Sequence, residues 1–292
     1  MPTLKELVTR PNKILSVMHF PSAGLARIME SAGAEAGFVG TSGVVGNITG
    51  MADLGQISMT EVVQVAGWIA SSVKVPTIMD GDTGHGSIMA TRRMIKDAIN
   101  AGVSGIRIDD RAIEVDKGET TGMGSVAPFD FSIARFRAAV DMREEMGRPD
   151  FFIIGQSDAR EAPNGSLEDA IERMVAYEKV GVDIIQMRHP RDAGEVRQVR
   201  AALKGPFGFM LMKGGVNPSL QEQMDLGAQM AWFPGFVQNV LQRALFEFMT
   251  NYQEKGVEAY AEFEKKHPLA PPRYEIAESA RKQHELEKRY FG

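Results

Sequence analysis

The 292-residue chain contains no cysteine, which excludes disulfide bonds, thiolate metal sites and cysteine nucleophiles. It also has no excess of positive charge: the formal net charge of -5 at pH 7 argues against a nucleic-acid or anionic-membrane surface. No apolar run approaches the roughly 18 residues of a membrane-spanning helix, and the N-terminus shows no apolar signal core. We therefore expect a cytoplasmic protein that binds neither nucleic acid nor membrane.

Two motifs are missing as well. No GxGxxG sequence follows the first predicted strand, which disfavours a dinucleotide-binding sheet. The five histidines show no HExxH or comparable spacing, which disfavours zinc. The remaining composition, 43% hydrophobic and 24% charged, is typical of a globular protein with a sizeable core.

One pattern recurs along the chain. A helix-like run ends at a glycine, a small or β-branched residue follows, and a short apolar strand comes next. The glycine supplies a left-handed cap, and the apolar run is typical of a strand covered on both faces. The segments with this pattern are 31–40, 100–109, 179–187 and 225–233.

Four further segments complete a set of eight strands: 13–20, 75–80, 149–158 and 206–212. Segments with the 3.6-residue periodicity of a helix separate the strands, with clear examples at 58–73, 90–102, 132–147 and 167–181. This alternation predicts an α/β fold, a (β/α)8 TIM-type barrel, as the catalytic domain over residues 1–255. An open doubly wound sheet is the alternative.

The C-terminal region differs from the repeated units. The sequence HPLAPPR (267–273) interrupts the chain, and residues 274–291 then have the pattern of a strongly charged helix. A closed barrel has no place for another helix. We therefore expect 256–292 to be a helical extension that packs on another subunit, with an exposed surface helix as the alternative.

Acidic residues follow the third and fourth predicted strands. Asp80, Asp82 and Asp109 lie at the C-terminal strand ends, where barrels of this type place their active sites. Converging carboxylates repel each other unless a cation or a proton lies between them. Oxygen ligands without cysteine or a histidine pair favour Mg²⁺ or Mn²⁺, so these three residues are the predicted metal ligands. Alternatively, aspartates cap helices or pair with Arg107 or Arg111.

The acidic motif carries a family resemblance. DGDTGHG (80–86) resembles the D-x-D-T-G-[YH]-G signature of the isocitrate lyase/phosphoenolpyruvate mutase superfamily. GFVGTSGVV (37–45), GVSGIRIDDR (102–111) and LGAQMAWFPG (226–235) are similar to other parts of it, in the same order. The resemblance implies a magnesium-dependent barrel that binds an α-oxo carboxylate and forms a tetramer by exchanging C-terminal helices.

The resemblance also implies roles for single residues. Asp80 and Asp82 would hold the metal, partly through water, with Asp109 at the third acidic position. The substrate carboxylate would receive hydroxyl and backbone N–H donors from three residues, and Asp53 would lie near the substrate as a catalytic residue. Those three are Ser42, Gly43 and Val44.

The catalytic loop departs from the family pattern. The lyases carry a cysteine after the fourth strand, whereas residues 114–128 here contain several glycines and no cysteine. The glycines are typical of a mobile lid. Lys117, Thr120 and Thr121 are the candidate catalytic residues of this loop, together with Glu119 as a further polar group.

The substrate side departs as well. Gln156 stands where the family usually has a carboxylate-binding arginine on the fifth strand. Arg188 and Lys213 place positive charge on the sixth and seventh strands instead. We expect all three residues to contact the substrate. The two cationic side chains would bind its distal anionic group.

These observations predict a Mg²⁺-dependent lyase, with Mn²⁺ as a possible substitute. It would break a carbon–carbon bond in a small 2-oxo or 2-hydroxy (di)carboxylate, because a Lewis acid stabilises enolate-like charge. One alternative is phosphorus–carbon chemistry, as in phosphonopyruvate mutases and hydrolases, with Thr120 or Thr121 as nucleophile. The other is a non-catalytic barrel with a sensing or assembly role.

Overall fold

The computed structural model describes residues 2–112, 124–210, 218–233, 235–268 and 276–291, with residues 276–279 described by their backbone alone. Eight strands close into a parallel barrel in chain order, so that the last strand pairs with the first. The strands are β1 (Leu15–His19), β2 (Gly37–Val39), β3 (Thr77–Asp80), β4 (Gly105–Asp109), β5 (Phe152–Ser157), β6 (Ile184–Met187), β7 (Phe207–Met210) and β8 (Met230–Phe233). The predicted (β/α)8 barrel is confirmed, and the doubly wound alternative is wrong.

Helices alternate with the strands around the barrel. They are α1 (Leu4–Thr9), α2 (Ala23–Ser31), α3 (Thr41–Thr49), α4 (Met59–Ser72), α5 (Ile88–Asn100), α6 (Phe129–Glu145), α7 (Leu167–Val180), α8 (Ala193–Ala202) and α9 (Leu220–Asp225). Polar side chains begin several of them; Ser58, for example, accepts the backbone N–H of Glu61 at the start of α4.

Glycines end several of these helices, as the recurring pattern predicted. Gly33, Gly102, Gly181 and Gly227 all have positive φ, between 80° and 105°. Residues with a side chain rarely adopt this conformation, so glycine allows the chain to turn directly from helix to strand.

The core has two layers. One fills the space between the strands and the surrounding helices, and the other fills the barrel interior. In the interior, the rings of Phe38 and Trp232 lie 4.6 Å apart. Leu4, Leu7 and Val8 of α1 belong to the same interior cluster, so α1 closes the N-terminal end of the barrel. The interior is therefore closed to solvent at this end, and the C-terminal strand ends lie at the opposite end.

Three helices follow β8: α10 (Phe236–Lys255), α11 (Val257–Lys266) and α12 (Ile276–Phe291). The predicted charged helix at 274–291 is confirmed by α12. The Phe248 and Phe263 rings lie 5.5 Å apart and join α10 to α11. None of the described residues of α10 is buried. The domain boundary at residue 255 and the packing on another subunit stay predictions.

Across the described ranges, no helix is both long and apolar enough to cross a membrane.

Candidate active site

The acidic loop after β3 is joined to the end of β4 by backbone hydrogen bonds. The Gly81 N–H donates to the Arg107 carbonyl at 2.8 Å, and the Asp109 N–H donates to the Asp82 carbonyl at 2.9 Å. A Cβ on Gly81 would lie 2.9 Å from the Arg107 carbonyl oxygen, which is too close. Glycine between the two aspartates therefore lets the strand ends approach each other and brings three carboxylates together.

Asp80 is held by a buried arginine. The Arg107 Nη2 donates to Asp80 Oδ1 at 2.6 Å, and both side chains are less than one-tenth exposed. The other carboxylate oxygen, Oδ2, accepts the Thr41 N–H at 3.3 Å. Asp80 thus forms the ion pair with Arg107 that the sequence suggested as an alternative, and its role as a metal ligand stays a prediction.

Asp82 has the weakest charge compensation of the three. Its Oδ2 accepts the Thr41 hydroxyl at 2.7 Å, and Arg111 is 3.7 Å from its Oδ1. Burial, with the negative charges of Asp80 and Asp109, raises the pKa of Asp82 to about 8. Its φ of 42° lies in the left-handed region, a strained backbone of the kind that collects at functional sites.

Asp109 is held by Arg111. Nη2 of Arg111 donates to Asp109 Oδ2 at 2.8 Å, and the Arg111 backbone N–H donates to Oδ1 at 3.2 Å. Burial alone would raise the pKa of Asp109, but Arg111 and Arg107 outweigh it and lower this pKa to about 2. Asp109 is therefore ionised at neutral pH.

The three carboxylates supply hard oxygen donors, which suit a divalent cation. Asp82 fits this chemistry most directly, because a cation would relieve the repulsion that raises its pKa. In the described part of the chain, however, no group of three or more acidic or histidine side chains is already placed around one point. A cation would have to share Asp80 and Asp109 with their arginines, and the metal ligands stay a prediction.

A cavity of about 310 Å³ opens beside these carboxylates. Its lining includes Thr41, Asp53, Asp82, His85 and Arg111. This volume is near the lower end for small-molecule sites. The predicted catalytic residue Asp53 and the predicted metal ligand Asp82 therefore line one cavity, together with the positively charged side chain of Arg111.

Two titratable groups of this cavity have shifted pKa values. Asp53 is exposed as a residue, yet partial burial of its carboxyl group and the charge of Asp80 raise its pKa. Burial lowers the pKa of His85, whose φ of 56° is also in the left-handed region. Both shifts favour the neutral form of the side chain.

The first turn of α3 contains the three residues that are predicted to donate hydrogen bonds to the substrate carboxylate: Ser42, Gly43 and Val44. The Val44 N–H already donates to the Gly40 carbonyl at 3.0 Å, within the helix. Ser42 is exposed, and the first N–H groups of a helix have no partner inside it. Ser42 and Gly43 are therefore better placed than Val44 to offer N–H donors.

Buried His19 supports this turn. Its Nδ1 accepts the Gly40 N–H at 3.3 Å, and a Cβ on Gly43 would lie 2.0 Å from its Nε2. The ring thus fills the space beneath Gly43, which explains why this position has no side chain. Burial lowers the pKa of His19.

The β5 and β6 ends form a second polar group. Gln156 accepts from Arg107 Nη1 at 3.2 Å and donates to Asp158 at 2.6 Å. Arg188 donates to the same Asp158 at 2.7 Å, and Arg111 Nε lies 3.3 Å from it. Gln156 and Arg188 are not among the described residues that line the cavity. Their predicted contacts with substrate are untested.

Behind this group lies Asp110, which is fully buried. It accepts the Ser157 hydroxyl at 2.7 Å, the Asp158 N–H at 2.8 Å and the Tyr177 hydroxyl at 2.9 Å. Burial and the charge of Asp158 raise the pKa of Asp110 to about 7. This network fixes the end of β5 against α7.

The remaining predicted site residues, Lys117, Thr120, Thr121 and Lys213, lie outside the described residues. Sequence reasoning gave no site role to Thr41, His19 or His85. It considered Arg107 and Arg111 only as ion-pair partners. A signal for Arg107 was available, because it lies two residues before Asp109 in a strand and so points to the same face.

The chain is similar to known proteins in sequence and in fold. A family model described as phosphoenolpyruvate phosphomutase matches residues 4–252. The petal death protein of Dianthus caryophyllus is 31% identical over 234 residues, covering 79% of this chain and 72% of that protein. The 2,3-dimethylmalate lyase of Eubacterium barkeri is 29% identical over 227 residues, covering 77% of this chain and 76% of that protein.

A solved structure shows the same fold. The phosphoenolpyruvate phosphomutase of Streptomyces platensis subsp. rosaceus superposes with a TM-score of 0.83, covering 99% of this chain and 98% of that chain, at 23% identity. The matched proteins include both lyases and phosphomutases. Because the family model matches most of its length, the chain belongs to the phosphoenolpyruvate phosphomutase family, within the phosphoenolpyruvate mutase/isocitrate lyase superfamily.

Proposed function

We propose that this protein is a Mg²⁺-dependent lyase that cleaves a carbon–carbon bond in a small 2-oxo or 2-hydroxy (di)carboxylate. One observation carries the proposal: Asp82 lines a cavity together with Arg111 and Asp53, and it lies next to Asp80 and Asp109, which pair with Arg107 and Arg111. Such a cavity offers oxygen donors for a cation and positive charge for a carboxylate. The similarity to a 2,3-dimethylmalate lyase supports carbon–carbon chemistry.

Asp80 and Asp82, with Asp109, are the residues that would hold the metal. When bound, a divalent cation supplies a Lewis acid that stabilises negative charge on a carbonyl oxygen. A bound cation would change the protonation of Asp82 most, because Asp80 and Asp109 disfavour the ionised form of Asp82. Thr41 fixes the orientation of Asp82 through the 2.7 Å hydrogen bond from its hydroxyl.

The protein's own groups bind and orient the substrate. Ser42 and Gly43 at the start of α3 offer a hydroxyl and N–H groups to one carboxylate, where the helix dipole also favours negative charge. Arg111, which lines the cavity, supplies a guanidinium. We keep Arg188 and Lys213 as the proposed partners of a more distant anionic group.

Cleavage of a 2-hydroxy acid removes the hydroxyl proton and delivers a proton to the departing carbon. Asp53 is our candidate for the proton acceptor, because its raised pKa makes it a stronger base than an ordinary aspartate. Lys117 is our candidate for the proton donor, with Thr120 and Thr121 as further catalytic residues.

Phosphorus–carbon chemistry is the second candidate, favoured by the family model's own description. Thr120 or Thr121 would then act as nucleophile on a phosphonate. A non-catalytic barrel is disfavoured, because such a protein has no need for a strained acidic loop beside a cavity.

A substrate panel tests the proposal. Oxaloacetate, alkylmalates, methylisocitrate and phosphonopyruvate would be assayed with Mg²⁺, with Mn²⁺ and with chelator. We expect turnover of a carbon–carbon substrate that chelator abolishes and either ion restores. Turnover of phosphonopyruvate alone would replace the lyase proposal by the second candidate, and turnover that survives chelator would refute the metal requirement.

We also propose that the C-terminal helices pack on a second copy of the chain. Large apolar side chains on α10 are exposed, including Val240, Leu245 and Phe246 at 62–76%. Exposed apolar surface of this kind marks interaction sites. Truncation after Pro268 should lower the mass measured by light scattering, and a monomeric full-length chain would contradict the proposal.

A further inference from the structure

Arg107 is a cation fixed inside the acidic site. It lies in the middle of β4, and the register of the barrel places it directly opposite Asp80 of β3. Its side chain is only 8% exposed. Sequence reasoning considered it only as an ion-pair partner, yet it contacts the carboxylate at the centre of the predicted metal site.

Three contacts hold the guanidinium in place. Nη2 donates to Asp80 at 2.6 Å, and Nη1 donates to Gln156 at 3.2 Å. The guanidinium carbon also lies 5.2 Å from the centre of the Phe38 ring, within the range of a cation–π contact. These three contacts oppose movement of the side chain away from Asp80 when another cation approaches.

At this position, Arg107 would repel a divalent cation that binds Asp80. Any divalent cation that binds Asp80 must share this carboxylate with a guanidinium already at hydrogen-bond distance. Like charges so close together repel strongly in a site from which water is largely excluded. Arg111, 2.8 Å from Asp109 and 3.7 Å from Asp82, adds to the repulsion.

An anionic ligand changes this balance. A ligand with two negative charges that chelates the cation cancels the cation's charge, so the complex is no longer repelled by Arg107. The site should then accept cation and ligand together more readily than the cation alone. Such coupling is reciprocal, because each partner raises the affinity for the other by the same factor.

We infer that Arg107 is a resident counter-ion that weakens the binding of a free divalent cation and makes it depend on an anionic ligand. This inference rests on the proposed function, since it assumes that Asp80 and Asp82 bind a metal. Arg107 is a positioning residue in this role: it acts on the cation through Asp80 and has no assigned contact with the substrate.

Manganese binding to the full-length protein tests the inference without any activity assay. The loss of the free Mn²⁺ signal in electron paramagnetic resonance would be titrated with and without oxalate. For the wild type we expect weak binding of Mn²⁺ alone and at least about tenfold tighter binding with oxalate. For R107Q and R107M we expect Mn²⁺ alone to bind about tenfold or more tightly than to the wild type, and the effect of oxalate to shrink.

Two variants separate charge from shape. R107K keeps the positive charge, so its affinity for Mn²⁺ alone should stay as weak as in the wild type. R143M is the matched control, because the Arg143 side chain is similarly buried, 9% exposed, and ion-paired, 2.8 Å from Asp183, at the other end of the barrel. R143M should leave Mn²⁺ binding unchanged. R107Q, whose amide can still donate hydrogen bonds, replaces R107M should the latter fail to fold.

The outcomes distinguish this inference from the proposed function. Unchanged or weaker Mn²⁺ binding in folded R107Q, or tighter binding in R107K, would overturn the counter-ion role and leave the metal proposal intact. If neither wild type nor R107Q binds Mn²⁺ with oxalate present, both proposals fail together. If R107Q binds Mn²⁺ that the wild type does not, the counter-ion role is supported in its strongest form.

Discussion

The barrel has a cluster of ion pairs at each end, and the two clusters differ in burial. At the C-terminal end of the strands, the Asp80 and Arg107 side chains are 7% and 8% exposed. At the opposite end, Arg10 pairs with Glu35 at 2.5 Å, and Lys13 lies 3.0 Å from the same carboxylate. There the exposed fractions are 21%, 35% and 58% for Arg10, Glu35 and Lys13.

Similar distances thus have different consequences at the two ends. Water and salt screen the exposed cluster, so its pairs contribute little to stability. In the buried cluster, removing one partner leaves a charge without compensation, which is costly. Pairing shifts the pKa of Glu35 to about 2 at one end and that of Asp109 to about 2 at the other. At the buried end, the environment also raises the pKa of a neighbouring carboxyl group, that of Asp82, to about 8.

The largest expected effect comes from removing Arg107. R107M leaves Asp80 buried beside Asp82 and Asp109 without its cation, which should cost about 3–5 kcal/mol of unfolding free energy. Urea unfolding measures this loss. Added Mn²⁺ should restore part of it, because a ligand that binds only the folded state stabilises that state. A loss below about 1 kcal/mol would mean that the buried cluster behaves like the exposed one.

The next effect concerns metal affinity. Asp82→Asn removes the carboxylate that most needs a cation, so Mn²⁺ affinity measured by calorimetry should fall more than about tenfold, or roughly 1.4 kcal/mol, with the fold retained. Glu35→Gln is the control and should leave the affinity unchanged. Equal affinity in Asp82→Asn and wild type would assign the carboxylates to structural ion pairs alone.

A further expected effect is a pH dependence from Asp110. Its pKa is about 7 in the folded protein against an ordinary value of 3.8, so the folded state holds the proton more tightly than the unfolded state. Its contribution is complete below about pH 4 and is lost as the pH rises towards 7, at up to about 1.4 kcal/mol per pH unit. Asp110→Asn should flatten the unfolding free energy between pH 4 and 7, and an unchanged slope would contradict this assignment.

The smallest effect is expected at the exposed end. The hydrogen bond from Arg10 lowers the pKa of Glu35, so the pair stabilises the protein above the ordinary pKa of 4.5 and loses this effect as the pH falls towards 2. Because Glu35 is 35% exposed, Glu35→Gln should cost less than about 1 kcal/mol at neutral pH. The difference should vanish in high salt. A larger, salt-independent loss would remove the contrast between the two ends.

The fold could be predicted because its signals are local. Each of the eight predicted strand segments contains a strand, and the glycines expected after helices have positive φ. The helix predicted at 58–73 lies at Met59–Ser72 and begins with a capping box. In each case a few neighbouring residues carry the information, because helix ends and strand faces depend on nearby backbone and side chains.

The site could be predicted only in its composition. Sequence alone determined that Asp80, Asp82 and Asp109 end neighbouring strands, and that a parallel barrel brings such ends to one side. Tertiary structure decided their partners. Pairing of β2 with β3 brings Thr41 to Asp82 at 2.7 Å, and the register of β3 and β4 sets Arg107 against Asp80. The physical reason is that charge compensation depends on distance and burial, and both are set by residues far apart in the chain.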